Sequence, residues 1–130
     1  MIDRLNDLLK GAGLFVRGGF HVVPADDMPL LSDGGTAVSV LLIGNAGGDM
    51  WEAFEAQADR QRRNPLDSWL RPEIERVAAE VDAMPVFPNE GPPFVPVQDW
   101  AARAEPVYRS PIGIMIHPEF GLWHVYRAAL

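Results

Sequence analysis

The chain has 130 residues, 48% of them hydrophobic, no cysteine, and a formal net charge of −7. That length suits one domain, which buries roughly two-thirds of its unfolded surface and needs no covalent staple. The lack of cysteine excludes disulfides, thiolate zinc sites and iron–sulfur ligation within the chain, and it leads us to expect a cytoplasmic protein. The acidity disfavours nucleic acid as a partner, because that affinity comes largely from Lys and Arg on phosphates. The longest apolar run, residues 37–43, is far too short to span a bilayer. Met1-Ile2-Asp3-Arg4 has no basic head before an apolar stretch, so we expect neither a membrane segment nor a secretory signal.

Leu5, Leu8, Leu9 and Ala12 recur at i, i+3, i+4 and i+7 and predict an amphipathic helix, with Gly11 and Gly13 as its terminators. Segments 14–16 and 20–23 read as extended, and the Gly18-Gly19 pair between them marks either a hairpin turn or a bulge. Residues 24–35 form a polar loop. The almost continuously apolar run 37–43 predicts a central strand covered on both faces. A glycine-rich turn over 44–49 then leads into a helix. There Asp49 is the expected N-cap, Glu52 its capping-box partner, and Trp51, Phe54 and Ala58 the buried stripe. The turn fits neither the dinucleotide fingerprint nor the P-loop spacing, so we read it as structural rather than as a phosphate cradle.

The basic cluster Arg60-Gln61-Arg62-Arg63 falls where this helix should end, and cations there complement the helix dipole. The next helix presents Ile74, Val77, Ala78 and Val81 on one face, with Pro72 expected in its first turn. A proline-rich connection over 84–96 precedes a short helix over 97–104. Two strands follow, over 112–117 and 122–130, joined through Pro118-Glu119-Phe120-Gly121, which would make His117 and His124 hairpin neighbours. Without a regular βαβ cadence the chain reads as a single α+β domain over residues 1–130.

His21, His117 and His124 are too dispersed for a metal signature, and no nucleophile elbow is present, so the residues nominate neither a metal site nor a catalytic group. The chemically dense stretch is 100–130. It holds Trp100, Tyr108, Phe120, Trp123 and Tyr126 among Arg103, Arg109, Arg127, His117 and His124. Flat aromatic faces with a few directed cations suit a large, planar, partly anionic ligand, although strands bury such side chains as ordinary core just as readily.

Within that stretch, the run from Ser110 to Arg127, with Gly113 and then Ile116-His117-Pro118-Glu119-Phe120-Gly121-Leu122-Trp123 ahead of Tyr126-Arg127, resembles one found in cobalamin-processing proteins of the CblC type. It is similar, more loosely, to epoxyqueuosine reductases and reductive dehalogenases, whose Ala-rich helix is matched by Trp100-Ala101-Ala102-Arg103-Ala104. The good match covers about a quarter of the chain. It implies a nitroreductase-like (flavin-reductase-like) antiparallel sheet with flanking helices that binds cobalamin. By the same resemblance, His117, Pro118, Phe120, Gly121, Trp123, Tyr126 and Arg127 would line the corrinoid site. Phe120 and Trp123 would be its walls, and Arg127 would be an anion anchor toward a thiol or electron-carrier reductant. Where those proteins carry a second turn glycine, this chain has Leu122.

A flavin-dependent reductase is the alternative enzyme, and a non-catalytic dimerisation or docking domain of a ferredoxin-type electron-transfer protein is the alternative of another class. The chain ends inside an apolar segment, from which we expect the natural product to continue into a cysteine-rich iron–sulfur domain. The apolar surface left there leads us to expect a two-fold homodimer.

Overall fold

The computed structural model describes every residue except Asp27, Asp59, Arg60, Arg62 and Trp123. Residues 39–46 organise the rest. The apolar run forms strand β2 (Ser39–Ala46), paired antiparallel on one edge with β1 (Phe15–His21) and on the other with β5 (His124–Ala129). Because β2 is central, its alternate side chains feed two separate cores. Ile43 points to a core with Leu5, Leu9, Met50, Phe54 and Ile74. Val40 and Leu42 point to the other, with Trp100, Ala101, Val107 and Met115. Leu42 and Ile43 are fully buried, each worth roughly 1.5–3 kcal/mol of transfer free energy.

The first core is closed by three helices: α1 (Ile2–Leu9, extended by a 3-10 turn over Lys10–Ala12), α2 (Asp49–Gln57) and α3 (Pro65–Glu80). The second is closed by α4 (Val97–Ala104) and a two-stranded ribbon of β3 (Tyr108–Arg109) with β4 (Met115–Ile116). The expected mixed architecture, an antiparallel sheet with flanking helices, is therefore observed among the described residues. No helix among them is long and apolar enough to cross a membrane.

The structure corrects several local expectations. Strand β2 does not stop at Ile43. Gly44 and Asn45 stay in the ladder, and only Gly47 and Gly48 turn. Gly44 is there because a Cβ at that position would run into the Val125 carbonyl of β5. Helix α2 begins one residue early, since the Glu52 N–H bonds to the Gly48 carbonyl, so Gly48 is the N-cap and Asp49 makes no side-chain cap. Both acids still sit in the first turn, where the dipole favours them. Met50, not Trp51, shares the buried stripe with Phe54. Trp51 is 47% exposed and donates from Nε1 to Glu55.

Helix α3 starts at Pro65, so Pro72 lies inside it rather than in its first turn. Burial of Leu70, Ile74, Val77 and Ala78 holds the helix across that missing N–H, packing outweighing propensity. Helix α2 ends at Gln57, so Gln61 and Arg63 lie beyond it rather than in its last turn, while Arg60 and Arg62 fall outside the described residues.

Finally, segments 112–117 and 122–130 are not a hairpin. The second edge of β2 takes β5, which leaves β4 to pair with β3. Among the described residues the two segments share no strand pairing, and the bridge between His117 and Gly121 only closes the turn that joins them.

Candidate functional site

Both edges of β2 carry an irregularity at the same level. In β1 the register shifts between Val16 and Gly18, so Arg17 has no ladder partner on β2. In β5 the pairing passes from Ala128 to Tyr126, so Arg127 has no ladder partner either. Extra residues of this kind re-aim side chains, and here each bulge delivers an arginine to the interior, one toward each face. The sequence alternatives at Gly18-Gly19 thus resolve to a bulge. A Cβ on Gly18 would strike the Ala104 carbonyl at the end of α4, so glycine lets the helix end approach and bring Glu105 beside Arg17.

On the α4 face, Arg17 is saturated. Its side chain is fully buried, with Nε and one terminal nitrogen donating to the two Glu105 oxygens at 3.3 and 3.0 Å. The same nitrogen donates to His124 Nδ1 at 3.2 Å, and the other donates to the Asn45 carbonyl at 3.4 Å. The guanidinium also lies 4.5 Å from the centre of the Tyr126 ring, a cation–π contact. The Tyr126 hydroxyl donates to Glu105 at 2.5 Å. Burial, and then that bond to the carboxylate, push the phenol well above its usual range. Among the described residues no buried side-chain polar atom lacks a partner.

Against this cluster rests the turn that closes at the bridge between His117 and Gly121. The Glu119 and Phe120 N–H groups donate to His117 Nδ1 at 3.0 and 3.1 Å, and Gly121 supplies the positive φ of 61° that finishes the turn. Phe120 stacks on the His117 ring at 4.6 Å and meets Phe15 edge-on at 6.3 Å. Pro118 is exposed at the tip. Leu122, in the place of the second turn glycine, is 64% exposed.

On the α3 face, Arg127 is half-buried and far less engaged. Its Nε donates to Asn45 Oδ1 at 2.9 Å, and among the described residues it makes no other hydrogen bond or ion pair. It lines a pocket of about 280 Å³ with Asp67, Leu70, Arg71, Phe87 and Asn89. Arg71, by contrast, is bound by Glu75 and Glu90 and lies over the Phe87 ring. Burial lowers the Arg127 pKa while Asp67 opposes the shift, and a guanidinium stays a cation regardless.

Of the seven residues that the sequence nominated, His117, Phe120 and Tyr126 come together around Arg17, and Pro118 and Gly121 build the adjoining turn. Arg127 stands apart on the opposite face, and Trp123 lies outside the described residues. The wider aromatic set does not converge. Trp100 is core, packed on Phe20; Tyr108 is exposed; Arg103 pairs with Asp26 and Arg109 with Asp99.

Sequence reading missed Arg17, Asn45 and Glu105. A signal was present for the first two: one cation inside the apolar stretch 14–23, and one amide in the run 37–46. Among the described residues no three His, Cys, Asp or Glu side chains gather as a metal site. No protein-family model matches the chain, and no curated protein matches it.

Proposed function

We propose that the domain is a corrinoid-handling redox module of nitroreductase-like architecture, gripping its ligand through an anionic arm at Arg127. The ligand class rests on the resemblance carried by residues 110–127. The observation that supports a binding role is Arg127 itself: a half-buried guanidinium at a pocket, with neither terminal amino group hydrogen-bonded or ion-paired among the described residues. Buried cations are ordinarily paired, as Arg17 is, so an open one beside a pocket suits an incoming carboxylate or phosphate.

The fit is partial. Ligand pockets for drug-sized molecules run from about 300 to 1,000 Å³, and a corrinoid is larger than such molecules. A pocket of about 280 Å³ therefore accepts one arm of it while the macrocycle stays outside. When bound, the corrinoid would supply the redox chemistry and the protein would hold and orient it.

The test is a titration of the purified domain with cob(II)alamin and methylcobalamin, followed by the corrinoid absorption spectrum and by equilibrium dialysis. Saturable binding is expected, weakened about ten- to a hundredfold by Arg127→Ala, the worth of a charge-assisted contact of roughly 1.5–3 kcal/mol. No binding of either corrinoid at tens of micromolar would overturn the reading. Saturable binding of flavin mononucleotide in its place would give the site to a flavin.

A further inference from the structure

We propose that His117 and His124 form an acid-sensitive latch that fixes segment 115–121, the turn bearing Pro118, Phe120 and Gly121, against the sheet. The neighbours of each ring fix which nitrogen carries its proton. Backbone N–H groups only donate, so His117 Nδ1, which receives two of them, must be an acceptor, and its ring proton sits on Nε2. Arginine only donates, so His124 Nδ1 also accepts, while its Nε2, 3.0 Å from the Met115 carbonyl, must donate. The two histidines, with rings 5.9 Å apart, are therefore held in the same neutral form by independent partners. His117 holds the turn from within. His124 ties β4 to β5.

A proton on either Nδ1 turns an acceptor into a donor. At His117 it forfeits both backbone bonds that define the turn. At His124 it sets a cationic N–H against the Arg17 guanidinium at 3.2 Å, so the ring must leave Arg17 and take the Met115 contact with it. The charged and titratable groups around the pair are Arg17 from β1, Glu105 after α4, Tyr126 from β5 and Glu119 in the turn. Only the two carboxylates favour an imidazolium. Glu105 already receives Arg17 twice and Tyr126 once, and lies 3.7 Å from His117 Nε2. Glu119 is exposed, where water screens it.

The direction of the pH effect follows from His124. Burial first, then the Arg17 and His117 neighbours, lower its pKa below the free value. The released state therefore takes the proton first. The His124 contact is at full strength above the free imidazole pKa of about 6.5 and weakens as pH falls from there toward the lowered native value of that ring.

Nitrogen-15 NMR of the histidine rings in the intact chain at pH 7.5 tests the starting point, and both should be neutral with the proton on Nε2. Titration to pH 4.5 should shift the amides of Glu119, Phe120 and Gly121 together with the rings, while β1–β2 amides such as Leu41 stay unmoved. In the double variant His117→Asn, His124→Asn, each amide oxygen replaces Nδ1 as a non-titrating acceptor, in the manner of an Asx turn. The acid step in the turn amides should then disappear. Either ring carrying its proton on Nδ1 at pH 7.5 would overturn the proposal, and so would a turn titration that survives in the double variant. The ring tautomers of the unsubstituted chain decide the matter even if the variant fails to fold.

Discussion

Arg17 and Arg127 occupy equivalent irregularities on the two edges of one strand, and both are withdrawn from bulk water, yet their surroundings differ in kind. Arg17 donates to a carboxylate, an imidazole and a carbonyl and lies on a phenol ring. Among the described residues, Arg127 has one amide oxygen. Desolvating a cation costs several kcal/mol unless partners replace its water. A saturated buried arginine thus holds elements together, whereas the under-partnered one at a pocket is the one we propose takes a ligand. Asn45 joins the two, its carbonyl accepting from Arg17 and its side chain from Arg127.

The largest expected effect would separate these roles directly. Arg17→Met leaves Glu105 buried without its cation, and breaking such a pair costs about 3–5 kcal/mol. Arg127→Met removes a half-buried cation with one bond and should cost about 1 kcal/mol. Urea unfolding of the two variants checks this. Equal losses would erase the distinction between a structural and a ligand-directed arginine.

A smaller effect is expected from widening the seam that both arginines flank. In Gly44→Ala the added methyl meets the Val125 carbonyl of the neighbouring strand, and overpacking of this sort costs about 1–3 kcal/mol. Because β5 must move, the Arg127 bulge should move with it, and corrinoid affinity should fall alongside stability. Stability lost with affinity intact would mean that the bulge is held by α3 rather than by the β2–β5 register.

The same seam shows what was legible in the sequence. Periodicity placed α1, and the apolar run of residues 37–43 identified the central strand, because burial on both faces leaves no polar position to disguise. It also gave a false end at Gly44. A glycine after an apolar run reads as a turn, whereas here it admits a neighbouring carbonyl, a non-local cause that no window contains. The turn at 117–121 was legible from its own residues, since local hydrogen bonds make it. The proximity of His117 and His124 was expected for the wrong reason: they meet across a ribbon and a sheet, not along a hairpin. Arg17 and Glu105 are 88 residues apart, and their pairing depends on a bulge and on how α4 ends against Gly18. Neither announces itself in composition.

The smallest effect on stability, and the sharpest on function, should come from Asn45→Asp. The replacement is nearly isosteric and keeps an oxygen where Oδ1 accepts from Arg127 Nε, 2.9 Å away. It adds a negative charge on the α3 face, where Arg127 makes no ion pair among the described residues. Asn45 is 5% exposed, so the new carboxylate bears a desolvation cost that the new ion pair offsets in part, and net stability should change by no more than about 1 kcal/mol. The Arg127 charge, however, is then neutralised from within. An incoming carboxylate or phosphate meets an occupied guanidinium and a like charge beside it, so affinity should drop at least about tenfold, close to the loss in Arg127→Ala. The Arg17 side should be untouched, since that contact uses the Asn45 main-chain carbonyl. Dialysis binding and urea unfolding on the same preparation give both quantities. Unchanged affinity with an unchanged fold would show that Arg127 does not meet the ligand, and Arg127 would then be a structural partner of β2, as Arg17 is.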